Sequence, residues 1–214
     1  MVQGLVVNDK LQTAADHLST HDDTLSSVIT TAGLATFTPH KNYYQELVES
    51  IISQQLSVKA ASTILKRFVD LFPSGNFPTP DQILQKDIEQ LRSVGLSRQK
   101  GSYIQDLAVK VIDGTVKFDH LDELSNDDII AELTQIKGVG IWTVHMSLMF
   151  CMGRLDVLPI GDLGIKNGIQ KLYNLDHQPT PDEMHQIAHD NNWHPYESVA
   201  SWYIWHSLDN KPVL

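Results

Sequence analysis

Between Asn42 and Phe72 the apolar residues recur at spacings of three and four, and this spacing, sustained along most of the chain, confines the fold to helices. In NYYQELVESIISQQL (Asn42 to Leu56), Tyr44, Leu47, Val48, Ile51 and Ile52 make one stripe. SVKAASTILKRFVDLF (Ser57 to Phe72) repeats the period until Pro73-Ser74-Gly75 stops it. Thr79-Pro80-Asp81-Gln82 and Thr180-Pro181-Asp182-Glu183 each read as an N-cap, a proline at the first helical position and a capping-box acceptor at the third. Ser125-Asn126-Asp127-Asp128 opens another helix in a similar way. Further helices are expected at Arg98 to Ile112, Asp128 to Ile136, Ile141 to Met152, Leu163 to Tyr173 and Tyr196 to Leu208. No segment alternates with period two for long enough to make a strand. The expected fold class is all-α.

A chain of 214 residues has ample material for two helical lobes, and no linker-like stretch divides it. No apolar run approaches the roughly 20 residues needed to span a bilayer, and the N-terminus lacks a basic region leading into an apolar core. Neither a membrane partner nor a signal peptide is expected. Cys151 is alone, which excludes an intrachain disulfide, a multi-cysteine zinc site and a four-cysteine iron–sulfur cluster. These readings point to a reducing, intracellular compartment: the cytoplasm of a prokaryote or the nucleus of a eukaryote. The net charge of -10 argues at first against nucleic acid, whose phosphates call for basic side chains. A local patch can still act inside an acidic whole. Acidic residues cluster at Asp9 to Asp23, Asp119 to Asp128 and Asp176 to Asp190; basic ones gather at Lys59, Lys66 and Arg67, and at Arg92, Arg98 and Lys100.

The stretch LTQIKGVGIWTVHMSLMF (Leu133 to Phe150) places a four-residue turn, Lys137-Gly138-Val139-Gly140, between two helices. It is neither a dinucleotide fingerprint nor a P-loop, because a helix rather than a strand precedes it. Unpaired amides at the start of a helix attract an anion, and glycines at both turn positions let a phosphate approach without meeting a Cβ. A plain helical hairpin with a glycine C-cap gives the same local pattern.

Beyond Trp142 comes Leu158-Pro159-Ile160-Gly161-Asp162-Leu163-Gly164-Ile165-Lys166, with Asp162 twenty residues past the tryptophan. Together with IISQQLSVKAAS (Ile51 to Ser62), LRSVGLSRQKGSYIQDLA (Leu91 to Ala108) and IKGVGIWT, these motifs resemble the helix-hairpin-helix DNA glycosylase superfamily, in particular its DNA-3-methyladenine glycosylase II branch. Four modest motifs in the right order, over roughly Asn42 to Leu208, make the resemblance specific. It implies a two-lobed fold with a cleft between the lobes, one lobe formed by residues 1–41 plus 155–214 and the other by 42–154. It also implies a monomeric enzyme of base excision repair acting on double-stranded DNA with alkylated bases.

By position, the resemblance makes Asp162 the catalytic carboxylate. Cleaving an N-glycosidic bond develops positive charge on the sugar, which a carboxylate stabilises while it orients or deprotonates water. One carboxylate suffices when the leaving base is a cation, as N3- and N7-alkylated purines are. The same aspartate also reads as an N-cap for the following helix. Bifunctional relatives carry a lysine nucleophile where this chain has Trp142, so hydrolysis without lyase chemistry is expected. Trp142 and Trp205 match pocket aromatics, and core packing is the alternative for both. Met146 and Leu163 occupy pocket positions where relatives carry aromatics. Through the resemblance the hairpin, Lys137, Gly138, Val139 and Gly140, holds a DNA phosphate; the charge of Lys137 suits either that contact or a solvated turn. Gly95, Ser97 and Lys100 form a second candidate backbone contact. Gln55 or Leu56 is the wedge that fills the gap left by a flipped base, with Gln54, Ser57 and Lys59 beside it. No cofactor is required, but the carbonyls of Thr134, Ile136 and Val139 are positioned to hold a structural Na+ or K+. Met146, Leu163 and the acidic charge also keep in view an alternative, a non-catalytic or weakly catalytic alkylation-damage-binding protein. His185 and His189 have the spacing of a zinc pair, but Gln186 stands where a metalloprotease needs its glutamate.

Overall fold

The computed structural model describes residues 2–73 and 75–208, with side chains from residue 8 onward. Met1, Ser74 of the expected helix stop and residues 209–214 of the expected first lobe lie outside the described residues. Among the described residues there are twelve α-helices, one 3₁₀ turn, one π turn and no strand, as the sequence pattern predicts. No helix among them is long and apolar enough to cross a membrane. The chain divides into two compact units, residues 40–147 and residues 1–39 with 148–214.

The 40–147 unit holds α3 (Tyr43–Ser53), α4 (Val58–Asp70), α5 (Pro80–Leu84), α6 (Ile88–Ser93), α7 (Arg98–Ile112), α8 (Asn126–Leu133) and α9 (Ile141–Met146). α3 buries Leu47, Val48, Ile51 and Ile52, the stripe read from the sequence. α7 is the pillar: α3, α5 and α6 pack against it, and it buries Gly101, Ile104, Leu107 and Ala108. The start signals act as local chemistry requires. Thr79 and Gln82 form a reciprocal capping box at α5, and Asp87 with Gln90 forms another at α6, a helix the sequence reading did not isolate. The helix expected from Asp128 to Ile136 begins two residues earlier, because Ser125 caps Asp128 N–H, and ends at Leu133.

The sequence predicts one regular helix from Ile141 to Met152; instead α9 closes at Met146 and the chain widens into a π turn, Ser147–Cys151. Such a bulge inserts an extra residue per turn and rotates the side chains that follow it. His145, on α9, is buried, and its Nδ1 has no hydrogen-bond partner among the described residues. Burial holds its imidazole below the ordinary value of 6.5. The unfolded chain therefore binds the proton first as pH falls through 6.5, and this contribution to stability is present above 6.5 and lost toward the lower folded value. Urea unfolding between pH 7.5 and 5 is expected to show a shallower loss of stability in His145→Gln than in the wild type; an unchanged slope would remove His145 as a cause.

The second unit holds α1 (Val2–His21), α2 (Asp23–Ala32), α10 (Leu163–Leu172), α11 (Pro181–Asp190) and α12 (Glu197–Ser207). α12 is its axis, buried continuously from Ser198 to Trp205 and contacted by α1, α2 and α10. A helix hidden on all sides needs partners for its polar groups. The Tyr203 hydroxyl donates to Gly33 O at 3.0 Å and accepts from Ala35 N–H at 3.3 Å; Ser198 Oγ donates to Arg154 O at 2.8 Å and accepts from Val157 N–H at 3.1 Å. α10 comes close to α12 because Gly168 lacks a side chain: a Cβ there would lie 2.3 Å from Ile204 Cγ2.

Candidate functional site

In the 40–147 unit the hairpin is α8, the turn Lys137-Gly138-Val139-Gly140, and α9. Gly138 has φ +80, and a Cβ on it would lie 2.0–2.6 Å from the Tyr103 ring of α7. The left-handed backbone and the Tyr103 ring both require glycine at this position. Gly140 differs. Its φ is an ordinary −97, and a Cβ would meet nothing within 4 Å, so space lies open before α9. The helices α4 to α8 are each capped by a side chain, from Ser57, Thr79, Asp87, Ser97 and Ser125 in turn, whereas α9 has no side-chain cap. α9 thus starts without the side-chain acceptor that the preceding helices carry.

Asp106, Gln54 and Gln99 brace the turn. Asp106 of α7 accepts Lys137 N–H at 2.9 Å and pairs with Lys137 Nζ at 3.2 Å, which partly neutralises the lysine offered for a phosphate. Gln54 Nε2 donates to Gly138 O at 2.9 Å. Gln99 donates to the Tyr103 hydroxyl behind the ring. Gln54 belongs to the tight connection between α3 and α4, where Gln55 takes φ +58 and is exposed, with Leu56 beside it at 38% exposure. Both wedge candidates therefore sit on a surface turn tied through Gln54 to the hairpin. Ser57 caps α4, and Lys59 is exposed on its first turn.

The Lys100 ammonium turns into its own fold, donating to Ile52 O at 2.8 Å and Gln54 O at 2.6 Å, and so closes the C-terminus of α3. Desolvation there lowers its pKa from the ordinary lysine value. Its backbone N–H is taken by the Ser97 hydroxyl at 3.1 Å. Lys100 and Ser97 thus support the α3–α4 turn and the start of α7. Gly95 has φ +106 and lies against Ile64. Arg92 and Arg98 both pair with Glu89 at 2.6 Å on the exposed surface. The exposed basic side chains of α4 are Lys59, Lys66 and Arg67.

Trp142, on the first turn of α9, is 47% exposed, which suits stacking better than core packing. Met146, one turn on, is half-buried. Thr134, Ile136 and Val139 lie just beyond α8, whose C-terminal carbonyls favour a cation. Ile136 O accepts from Val139 N–H at 3.1 Å, which leaves a second lone pair. Three main-chain oxygens are the donor type a hard monovalent ion takes.

Replacing Gly138 by alanine combines a disfavoured φ with a collision against an aromatic ring. We expect Gly138→Ala to cost about 3 kcal/mol of stability, measured by urea denaturation. Adding Tyr103→Ala should recover the steric part and leave the backbone part; a strictly additive double variant would show that Tyr103 does not press on this turn.

In the second unit Asp162 is the N-cap of α10. Its Oδ1 accepts Ile165 N–H at 2.8 Å and Trp205 Nε1–H at 2.9 Å. Capping and the candidate chemical role coexist, since the cap fixes the carboxylate. Gly164 makes the second bond feasible: a Cβ there would lie 3.0 Å from Asp162 Oδ1 and from Trp205 Cδ1 and Nε1. Trp205 is only 9% exposed, and Phe150 lies 5.9 Å from it at 32°. Phe150 in turn stacks on Phe37 at 5.5 Å. Nothing in the sequence singles out either phenylalanine, since each carries only an ordinary core signal. Leu163 follows Asp162 and is 62% exposed.

Residues 48–191 match the family model described as HhH-GPD superfamily base excision DNA repair protein. The chain is 36% identical over 201 residues to DNA-3-methyladenine glycosylase 1 of Schizosaccharomyces pombe, covering 91% of this chain and 86% of that one. A solved structure of the S. pombe 3-methyladenine DNA glycosylase in complex with abasic DNA superposes with a TM-score of 0.75 at 35% identity, covering 92% of this chain and 97% of that one. The DNA-3-methyladenine glycosidase of Bacillus halodurans superposes with a TM-score of 0.80 at 37% identity, over 91% and 88% of the two chains. With this agreement along most of its length, the chain belongs to the HhH-GPD superfamily of base excision DNA repair proteins, among the homologues of the DNA-3-methyladenine glycosylases.

Proposed function

We propose that the protein is a monofunctional DNA glycosylase that removes alkylated purines of the 3-methyladenine and 7-methylguanine type from duplex DNA by hydrolysis, leaving an abasic site. The observation that carries this reading is the Asp162 carboxylate, held at the start of α10 by donors from two elements.

The reacting base must leave the stack before its bond to the sugar is reached, and Gln55 or Leu56 fills the space it vacates. The uncapped start of α9 takes a backbone phosphate, with Gly140 keeping the approach open. Lys59 adds positive charge from α4. Thr134, Ile136 and Val139 would hold Na+ or K+ through their carbonyls, and the ion supplies further positive charge for a phosphate. The exposed indole of Trp142 stacks on the expelled base; an alkylated purine is a cation, so it is favoured over a neutral base on such a ring. Exposed Leu163 adds an apolar contact beside the acid. As the C1′–N bond breaks, both electrons leave with the base, which departs neutral, and the sugar takes up the positive charge. The negative charge of Asp162 stabilises it until a water oxygen bonds to C1′ and loses a proton. Trp142 has no amine with which to attack C1′, so the strand stays whole.

The test is a duplex carrying a single 7-methylguanine. The expected product is an alkali-labile abasic strand that remains unbroken without alkali, and borohydride is expected to trap no covalent adduct. A trapped adduct would overturn the hydrolytic reading. Tight binding with no alkali-labile site would instead identify a damage-binding protein.

A further inference from the structure

We infer that Trp205 is a positioning residue for Asp162 rather than a platform for the flipped base; this rests on the role given to Asp162 above. Its ring is 9% exposed, too enclosed to offer a face to a stacked purine. The edge is what the fold directs at the acid: Nε1 donates to Asp162 Oδ1 at 2.9 Å, and the same oxygen accepts Ile165 N–H at 2.8 Å. A single donor leaves a carboxylate able to swing about its Cβ–Cγ bond. Two donors, one from the first turn of α10 and one from α12, fix the position of the oxygen and the plane of the group.

The surroundings hold the indole in that orientation. Phe150 lies against it and is itself stacked on Phe37, so the ring is backed by two further aromatic side chains. Gly164 is the space that lets indole and carboxylate meet, since a Cβ there would stand 3.0 Å from both partners. The sugar cation of the transition state carries its charge on C1′ and the adjoining ring oxygen, so the orientation of the opposing carboxylate decides how much of that charge it stabilises.

The test uses two duplexes that contain no base at the target position, one with a protonated pyrrolidine in place of the sugar and one with neutral tetrahydrofuran. The wild type is expected to bind the cationic duplex more tightly. Trp205→Phe removes the donor and keeps an aromatic ring; it should reduce that preference by about tenfold while tetrahydrofuran affinity stays within about twofold. Release of 3-methyladenine and 7-methylguanine should fall by the same factor, because the defect lies at the sugar. Gly164→Ala, which keeps the indole and displaces it by a few tenths of an ångström, should reduce the preference as well and carries the test if Trp205→Phe does not fold. Retention of the wild-type preference in Trp205→Phe, with unequal losses for the two lesions, would overturn the inference and make Trp205 a base contact. Asp162→Asn separates the two levels: if it too keeps the preference for the cation, the role of Asp162 itself is wrong.

Discussion

Asp162→Asn should lower base release by at least about 10² to 10³-fold and leave the fold and DNA affinity close to wild type. The argument rests on what asparagine preserves. Its side-chain oxygen can accept from Ile165 N–H and Trp205 Nε1–H as Oδ1 of the aspartate does. Asparagine is also as good an N-cap as aspartate, so α10 loses little. What disappears is the negative charge opposite the sugar cation. Single-turnover release measured at saturating protein reads the chemical step, and a filter-binding or anisotropy titration reads affinity in parallel. A variant that releases base at the wild-type rate would exclude the carboxylate from the chemistry.

The second large effect is on stability. Asp22 is 1% exposed and accepts three hydrogen bonds: from Leu25 N–H at 2.9 Å, Tyr173 OH at 2.5 Å and Trp193 Nε1–H at 2.7 Å. Burial, followed by the adjoining carboxylate, raises the Tyr173 phenol well above its ordinary value, so it remains a protonated donor. Asp22→Ala removes a helix cap and leaves two enclosed donors without an acceptor. The expected loss is about 4 kcal/mol. For a chain of this size that lowers Tm by roughly 8–16 °C. Differential scanning calorimetry checks it; a fall of less than about 3 °C would show that water or a shifted side chain satisfies the donors.

Asp22 also shows where reading the sequence stops. In the chain it stands inside an acidic cluster, Asp9 to Asp23, that looks like solvated surface. Its partners Tyr173 and Trp193 lie 151 and 171 residues away, and no local pattern announces them. The helices were legible because their causes are local. Thr79 with Gln82, Thr180 with Glu183 and Ser125 with Asp128 satisfy backbone donors within one turn. The π turn after Met146 was not legible because no stop signal marks it, whereas α2 does carry local signals, Asp22 at its start and Gly33 at its end. Motif spacing pointed to Asp162, Trp142 and Trp205, but not to the bond that joins the acid to Trp205 across 43 residues. The pairing of charges was not legible either. Lys100, Arg92 and Arg98 look like a phosphate-seeking group in the sequence, and the fold turns all three onto its own acceptors.

The most direct test of the central claim is the rate at which the wild-type protein liberates free bases from randomly methylated duplex DNA, identified by chromatography and compared with spontaneous depurination. The account predicts free 3-methyladenine or 7-methylguanine appearing far faster than the spontaneous background, with one unbroken abasic site for each base released. DNA bound and retained with no base released above that background would contradict it.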